Sequence, residues 1–145
     1  MKYSTGKVGR VLVARMDHGE DILLSLKELC KNEGIESGWI FLFGALARGK
    51  LVLGPEEEKV PPSPVTRDFD GPYEALGTGS IAMDEGEISI HIHSALGSKS
   101  DALSGCIRDR GEIFIVIECL ILEIEGFGLA RKMDPLVGLK LLDFS

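Results

Sequence analysis

Two of the three histidines in the chain, His91 and His93, are separated by a single residue. Isoleucines alternate with them at positions 88, 90 and 92, which predicts a β-strand whose apolar side faces a core. Both imidazoles then share the opposite face, where their ring nitrogens can converge on one metal ion. The alternative is a pair of solvated histidines on the outer side of a sheet.

Cys106 could supply a third metal ligand. It lies in the motif Ser104-Gly105-Cys106-Ile107, after a polar stretch over 97–104 that can fold back across the sheet. Two imidazoles and a thiolate are a ligand set typical of zinc, with one position left for water or a carboxylate. A cysteine alone is more often a small buried apolar residue, and we assign that role to Cys30 and Cys119. The sequence therefore predicts one zinc ion per chain, held by the two histidines and this cysteine.

Two acidic residues are candidates for proton transfer beside such an ion. Glu118 would share a strand face with Val116 and Leu120, where a carboxylate is costly unless it is paired, and Arg131 is a candidate partner. One interpretation makes Glu118 a general base near the metal. The other, which we favour, makes it part of an internal or intersubunit salt bridge. Glu74, at the head of a predicted strand, is the second candidate.

One helix and several strands must position these residues. Apolar residues at helical spacing predict a helix over 18–33, capped by Asp17 with Glu20 and ended by Gly34, and we expect His18 at its exposed start. The rest of the chain consists of short apolar runs between glycine-bearing turns, which is typical of strands. The predicted strands cover 8–16, 39–43, 50–53, 74–83, 87–95, 112–124 and 139–144. The expected fold class is therefore α+β, a mainly antiparallel sheet packed on one principal helix.

The segment 54–73 fits neither a helix nor a strand. It contains most of the prolines and an acidic triplet over 56–58. Proline cannot donate to a sheet ladder, so we predict a long proline-rich loop here. No linker divides the chain, and we predict a single domain over 1–145.

Composition excludes several classes of protein. The chain has 145 residues, of which 44% are hydrophobic, and this is enough to bury a core and to exclude disorder. A net charge of -7 disfavours binding to phosphate backbones. No segment has the length or flanks of a signal peptide or a membrane span. Three cysteines without paired spacing favour a reducing compartment, so we expect a cytoplasmic protein.

Taken in order, these motifs resemble the plant-and-prokaryote conserved (PPC) domain family. The resemblance extends from about Val11 to Leu142. The segments that carry it are the helix opener Gly19–Ile22, the block Ile40–Ala47 with its central Gly44-Ala45, Tyr73–Leu76 followed by Gly79–Ile81, His91–His93, the Ser-Gly-Cys turn at 104–106, Glu118 and Arg131.

The resemblance implies an α+β subunit that assembles into a homotrimer. Prokaryotic members of this family are often labelled DNA-binding, and in plants the domain is joined to AT-hook segments that contact DNA while the domain mediates association. This chain contains no Arg-Gly-Arg-Pro hook and is acidic. DNA is therefore a disfavoured partner.

The chain departs from the family pattern at the predicted metal site. Members typically carry Gly-Gly-His-Leu where this chain has Ser104–Ile107. A thiolate in place of an imidazole remains a zinc donor, but its negative charge lowers the Lewis acidity of the ion. We therefore expect a structural rather than a catalytic metal.

Three functions stay open on the sequence. We favour a zinc-binding homotrimer of unassigned biochemical activity. The alternatives are a DNA-binding or transcription-associated factor and a metal-dependent enzyme that acts on a small molecule. The sequence does not identify a substrate or ligand.

Overall fold

The computed structural model describes residues 1–144, which form one helix and seven strands of a single sheet. The elements are β1 (Lys7–Asp17), α1 (Ile22–Glu33), β2 (Gly38–Pro55), β3 (Pro64–Asp84), β4 (Glu87–Gly97), β5 (Ala102–Glu125), β6 (Leu129–Asp134) and β7 (Leu139–Phe144). The strand order is β1-β5-β2-β3-β6-β7, and β4 pairs with both β3 and β5. Within 1–144, all pairings are antiparallel except one short contact between β3 and β6. The predicted α+β class, with a mainly antiparallel sheet on one helix, is confirmed.

The sheet closes on itself, because β2, β3, β4 and β5 pair in a circuit. Side chains alternate between its faces, and the inner face carries the apolar core. Fully buried members of this core from the strands include Ile40, Ile92 and Ile121. The helix adds Leu26 and Cys30 to the same core. The outer face, on which His91 and His93 lie, points away from the helix.

The helix begins later than predicted, at Ile22 rather than at 18. Its cap is Asp21, whose carboxylate accepts hydrogen bonds from the backbone N–H groups of Leu23 and Leu24. Asp17 and Glu20 do interact, since the Glu20 carboxylate accepts from the backbone N–H of Asp17, but they close a turn before the helix. The predicted end at Gly34 is confirmed.

The prediction of a loop over 54–73 is wrong at both ends. Only 56–63 lies outside the strands, because β2 runs to Pro55 and β3 begins at Pro64. These two prolines face each other at the ends of their strands, and Pro72 lies where the β2–β3 register shifts. Strand ends and bulges are the places where a sheet tolerates a residue without an N–H donor.

Two predicted strands, 39–43 and 50–53, are parts of the single long strand β2. The chain bends at Gly44, whose φ is 141°, opposite a bulge where Ile115 has a φ of 65°. A Cβ at Gly44 would collide with the backbone carbonyl of Val116. Only glycine allows the two strands to approach each other here. The short strand β6 was not predicted, because Leu129–Asp134 is too brief and charged to show a period.

All three cysteines are free thiols, and Cys30 and Cys119 are buried in the core as predicted. Among residues 1–144, no helix combines the length and the apolar character needed to cross a membrane.

The helix cap gives a direct test of this fold. The second carboxylate oxygen of Asp21 also accepts from the backbone N–H of Gly111 at 2.9 Å, so one side chain joins α1 to β5. We expect Asp21→Ala to lower the free energy of unfolding by about 1–2 kcal/mol. Asp17→Ala is the matched control. It removes only an exposed ion pair with Arg15 and should cost less than about 0.5 kcal/mol. Urea unfolding of both variants measures the difference, and equal losses would contradict the assigned cap.

Candidate metal centre

The two histidines lie side by side on the outer face of β4. Ile92 between them is fully buried, and Ile88 and Ile90 pack against the same core, as the alternation predicted. The Nε2 atoms of His91 and His93 are 3.1 Å apart, and their ring centroids are 5.0 Å apart. Both rings therefore turn their Nε2 atoms toward one point in space.

The third donor comes from a neighbouring strand and not from a bend. Only 98–101 separates β4 from β5, and Cys106 lies within β5, directly opposite His93. Because residues in register across paired strands share a face, the thiol lies beside the imidazoles. The Nε2 or Nδ1 atoms of the histidines and the Sγ atom of Cys106 lie within 4.8 Å of one another.

Gly105 allows this arrangement. A Cβ at Gly105 would collide with the backbone carbonyl of Val52 on β2. Because Gly105 has no Cβ, β5 can pair with β2 and with β4 at the same level. Cys106 then lies opposite Val52 on β2 and opposite His93 on β4. The glycine of the Ser-Gly-Cys motif therefore has a structural role in placing the thiol.

The donor set fits zinc. In a tetrahedral site with Zn–N bonds of about 2.0–2.1 Å, two imidazole nitrogens lie about 3.3–3.4 Å apart, close to the separation of the Nε2 atoms. A thiolate binds zinc at about 2.3 Å, and the Cys106 Sγ atom lies within 4.8 Å of the histidine nitrogens, so it can reach the same ion. His91, His93 and Cys106 could thus hold one ion and leave one coordination position free.

Burial sets the protonation of two of these donors before any ion binds. Burial, with the nearby positive charges of Arg131 and Arg108 and the ring of His93, lowers the pKa of His91 from 6.5 to about 4. This imidazole is therefore neutral at neutral pH and ready to bind a metal. Burial raises the pKa of the Cys106 thiol, although the two arginines oppose that rise. The thiol must therefore lose a proton when it becomes a ligand.

Two arginines border the donors. The sequence analysis named Arg131 only as a candidate partner of Glu118 and did not single out Arg108. Arg131 on β6 donates from Nη2 to the hydroxyl of Ser80 at 2.6 Å, and Ser80 lies opposite His91 across β3 and β4. Arg108 lies two positions after Cys106, so strand alternation predicts the same face. That spacing was the one signal in the sequence that could have identified Arg108.

The acidic candidates do not reach the donors. Glu118 is exposed and lies opposite Phe43 on β2, twelve residues beyond Cys106 along β5, and it is not among the groups that gather at the donors. Because its carboxylate is exposed, Glu118 needs no buried ion-pair partner. Arg131, the predicted partner, donates a hydrogen bond to Ser80 instead. Glu74 is exposed at the far end of the β3–β4 pairing, opposite Gly97. His18 is exposed in the turn before the helix, where its Nδ1 accepts from the backbone N–H of Ile115.

An apolar patch adjoins the donors on the outer face. Its members are large side chains that remain exposed on β1, β2 and β3: Val11, Val13, Trp39, Phe41, Phe43 and Leu76. The register makes the patch continuous with the donors, since Thr78 lies between Phe41 and His93, and Ser80 between Trp39 and His91. We call this set the outer apolar patch. Sequence reasoning did not identify it, because alternation alone does not show which face is covered.

The donors lie outside a groove that borders the helix. That groove, of about 750 Å³, runs between α1 and the β3–β4 turn and is lined by side chains such as Leu24, Lys27 and Met83. None of His91, His93 and Cys106 lines it. The groove and the donor cluster are therefore separate features.

Comparisons with known proteins agree with this architecture. A metal-containing protein from Archaeoglobus fulgidus is 26% identical, with a TM-score of 0.87 over 97% of this chain and 98% of that one. A plant- and prokaryote-conserved protein from Pyrococcus horikoshii is 29% identical, with a TM-score of 0.85 over 99% and 97%. A protein from Bacteroides thetaiotaomicron, named as a candidate DNA-binding protein, is 26% identical, with a TM-score of 0.79 over 98% and 97%. No protein of the curated set matches the chain.

The family model of the Plants and Prokaryotes Conserved (PCC) domain matches residues 3–125. This range includes the helix, β1 to β5 and all three donor residues. The two strands after it, β6 and β7, extend the same sheet and bring Arg131 to the site. The chain belongs to the Plants and Prokaryotes Conserved domain family.

Proposed function

We propose that this protein is a self-associating, zinc-binding protein in which each chain holds one ion on His91, His93 and Cys106. The observation that carries the proposal is the convergence of the three donor atoms within 4.8 Å on one face of the sheet. The metal-containing relative from Archaeoglobus fulgidus supports it. Three free cysteines in the described chain support a reducing compartment, and we place the protein in the cytoplasm.

The role of the ion is structural in this proposal. Two donors lie on β4 and the third on β5, so a bound ion joins two strands of the closed circuit. The thiolate lowers the Lewis acidity of zinc, and neither Glu118 nor Glu74 lies beside the donors to move a proton. The metal therefore stabilises the pairing of β4 with β5 and orders the adjoining surface.

Self-association follows from the outer apolar patch. Phe43 is 56% exposed, Leu76 67% and Val13 81%, and the patch members lie on β1, β2 and β3, with half-buried Leu120 and Leu122 of β5 between β1 and β2. Soluble proteins rarely leave a continuous apolar surface of this kind open to water, and such a surface typically marks an interface. We propose that a second copy of the chain covers this patch. The helix and the core lie on the opposite face of the sheet, so they do not cover the patch within a single chain.

We propose three copies, as expected for the family. A closed ring of three uses two different surfaces of each chain, so the patch of one subunit meets another face of the next. Because the patch adjoins His91 and His93, the metal lies at the border of this interface. Metal binding and assembly are then coupled.

The charges of the described chain do not favour DNA as the partner, although a relative carries that name. Most of its cations are in ion pairs with acids, such as Arg10 with Glu123, Arg48 with Glu112, and Arg67 with Asp101. A net charge of -7 adds repulsion between the surface and a phosphate backbone. Association through the outer apolar patch needs no nucleic acid.

The zinc content of variants tests the site. We expect purified wild-type protein to hold one zinc ion per chain after dialysis against zinc and removal of the excess. The double variant His91→Ala, His93→Ala and the single variant Cys106→Ala should lose most of it, because two donors or fewer hold zinc weakly. His18→Ala is the matched control and should keep full occupancy. Elemental analysis provides the measurement, and a fully loaded double variant would exclude the site.

The pH dependence of zinc binding tests the donor states. Because the Cys106 thiol gives up a proton, the affinity should rise about tenfold per pH unit from pH 6 to 8. His91 adds no such slope above about pH 5, since its pKa is lowered to about 4. In Cys106→His, which keeps three donors, the slope should flatten above about pH 7. Competition with a chelator of known affinity measures how the zinc affinity of the wild-type protein and of Cys106→His changes with pH. Equal slopes in the two proteins would contradict a thiolate ligand.

A charged substitution in the outer apolar patch tests self-association. Phe41 lies near the centre of the patch, opposite Leu120 and Thr78. We expect wild-type protein to scatter light as a particle about three times the 15.7 kDa chain mass, and Phe41→Glu to dissociate to single chains. Leu24→Glu, on the exposed side of α1, is the control and should not dissociate. A wild-type particle of 15.7 kDa would refute the proposal.

A further inference from the structure

Two arginines, Arg131 and Arg108, give the surroundings of the metal donors an excess of positive charge. Arg131 is partly buried and held by the hydroxyl of Ser80, which is itself only 5% exposed. Since Ser80 lies opposite His91, this bond fixes the guanidinium beside the histidines. Arg108 projects on the same face from β5, two positions beyond Cys106.

Neither guanidinium has an acidic partner within residues 1–144. By contrast, Arg10, Arg15 and Arg67 each pair with a carboxylate. The acid whose charge acts on Arg131 is Asp84, and its carboxylate is bonded to Lys140 at 2.7 Å. A divalent ion on the donors would make the imbalance greater, since the thiolate supplies a single negative charge.

From this arrangement we infer that the site binds a small oxyanion, a carboxylate or a phosphate group. One of its oxygens would complete the coordination of the metal, and the remaining oxygen of a carboxylate, or the remaining oxygens of a phosphate, would accept hydrogen bonds from Arg131 and Arg108. The planar fork of a guanidinium matches both kinds of group, and such charge-assisted bonds are strong. The inference rests on the metal site proposed above and adds the class of its fourth ligand.

A competing source of the oxyanion is the protein itself. Glu118 is exposed on the same outer face, and its carboxylate has no ion-pair partner in the described part of the chain. In an assembly, a neighbouring copy could place this carboxylate on the metal. The position would then be closed to small molecules. The two arrangements differ in their response to added anions.

Cobalt(II) is the probe for the test, because its visible absorption reports the ligands of the metal. The cobalt-loaded wild-type protein is titrated with inorganic phosphate and, separately, with acetate. We expect at least one of them to shift the cobalt bands. Arg131→Gln should weaken that binding by about tenfold or more, and Arg108→Gln should weaken it in the same direction. Arg10→Gln, which changes an arginine of β1 that pairs with Glu123, is the matched control and should leave it unchanged.

The outcomes separate this inference from the metal site. If wild-type protein takes up no cobalt, the proposed metal site fails. If cobalt binds with the absorption of a thiolate ligand but neither anion shifts its bands, the oxyanion inference is overturned and the metal site stands. An anion that binds equally well to Arg131→Gln also overturns it. Insensitivity to anions together with altered bands in Glu118→Gln would assign the fourth position to a neighbouring copy.

Discussion

Register between paired β-strands is the constraint on which the rest of this structure depends. It sends alternate residues of β4 to opposite faces, so that isoleucines fill the core while His91 and His93 face outward. It also sets Cys106 opposite His93 on the neighbouring strand. A slip of one residue would exchange the faces, which would bury two imidazoles and expose the core. The burial of the apolar face therefore fixes the geometry of the donor atoms.

The same register explains why the metal donors and the outer apolar patch belong together. Thr78 and Ser80 on β3 each lie between a patch aromatic on β2 and a histidine on β4. Trp39 donates from its indole N–H to the Thr78 hydroxyl at 2.8 Å, and Arg131 donates to that of Ser80. An ion that orders β4 and β5 thus acts on a surface next to the proposed interface. The proposed metal site, anion site and assembly surface share one face of the sheet.

The local chemistry of the site could be predicted from the sequence, because the period of two in 88–93 and the one nearby cysteine suffice to group the donors. What surrounds them could not be predicted. Arg131 reaches the site through β6, which is too short to show a period and is far away in sequence. Glu118 was judged by its apolar neighbours, but its strand face is open in the single chain. Sequence alternation shows that two faces differ and leaves open which one is covered.

The helix and the fold class could also be predicted, since the apolar residues of α1 keep a strict helical spacing. The predictions of the helix start and of the proline-rich loop were wrong because the same residue types are compatible with two different structures. Acids before a helix can cap it or close a preceding turn, and Asp17 does the latter. Prolines can form a loop or occupy the ends and bulges of strands, as Pro64 and Pro72 do. Long bent strands were divided at glycines such as Gly44, which bend a strand without ending it.

The central claim is that two imidazoles and one thiolate hold a single zinc ion on the outer face. X-ray absorption at the zinc edge of the purified, zinc-loaded protein tests it most directly. The account predicts one sulfur at about 2.3 Å and imidazole nitrogens at about 2.0–2.1 Å from the ion. A spectrum without sulfur, or one with two or more sulfurs, would contradict it, because Cys106 is the one cysteine on that face.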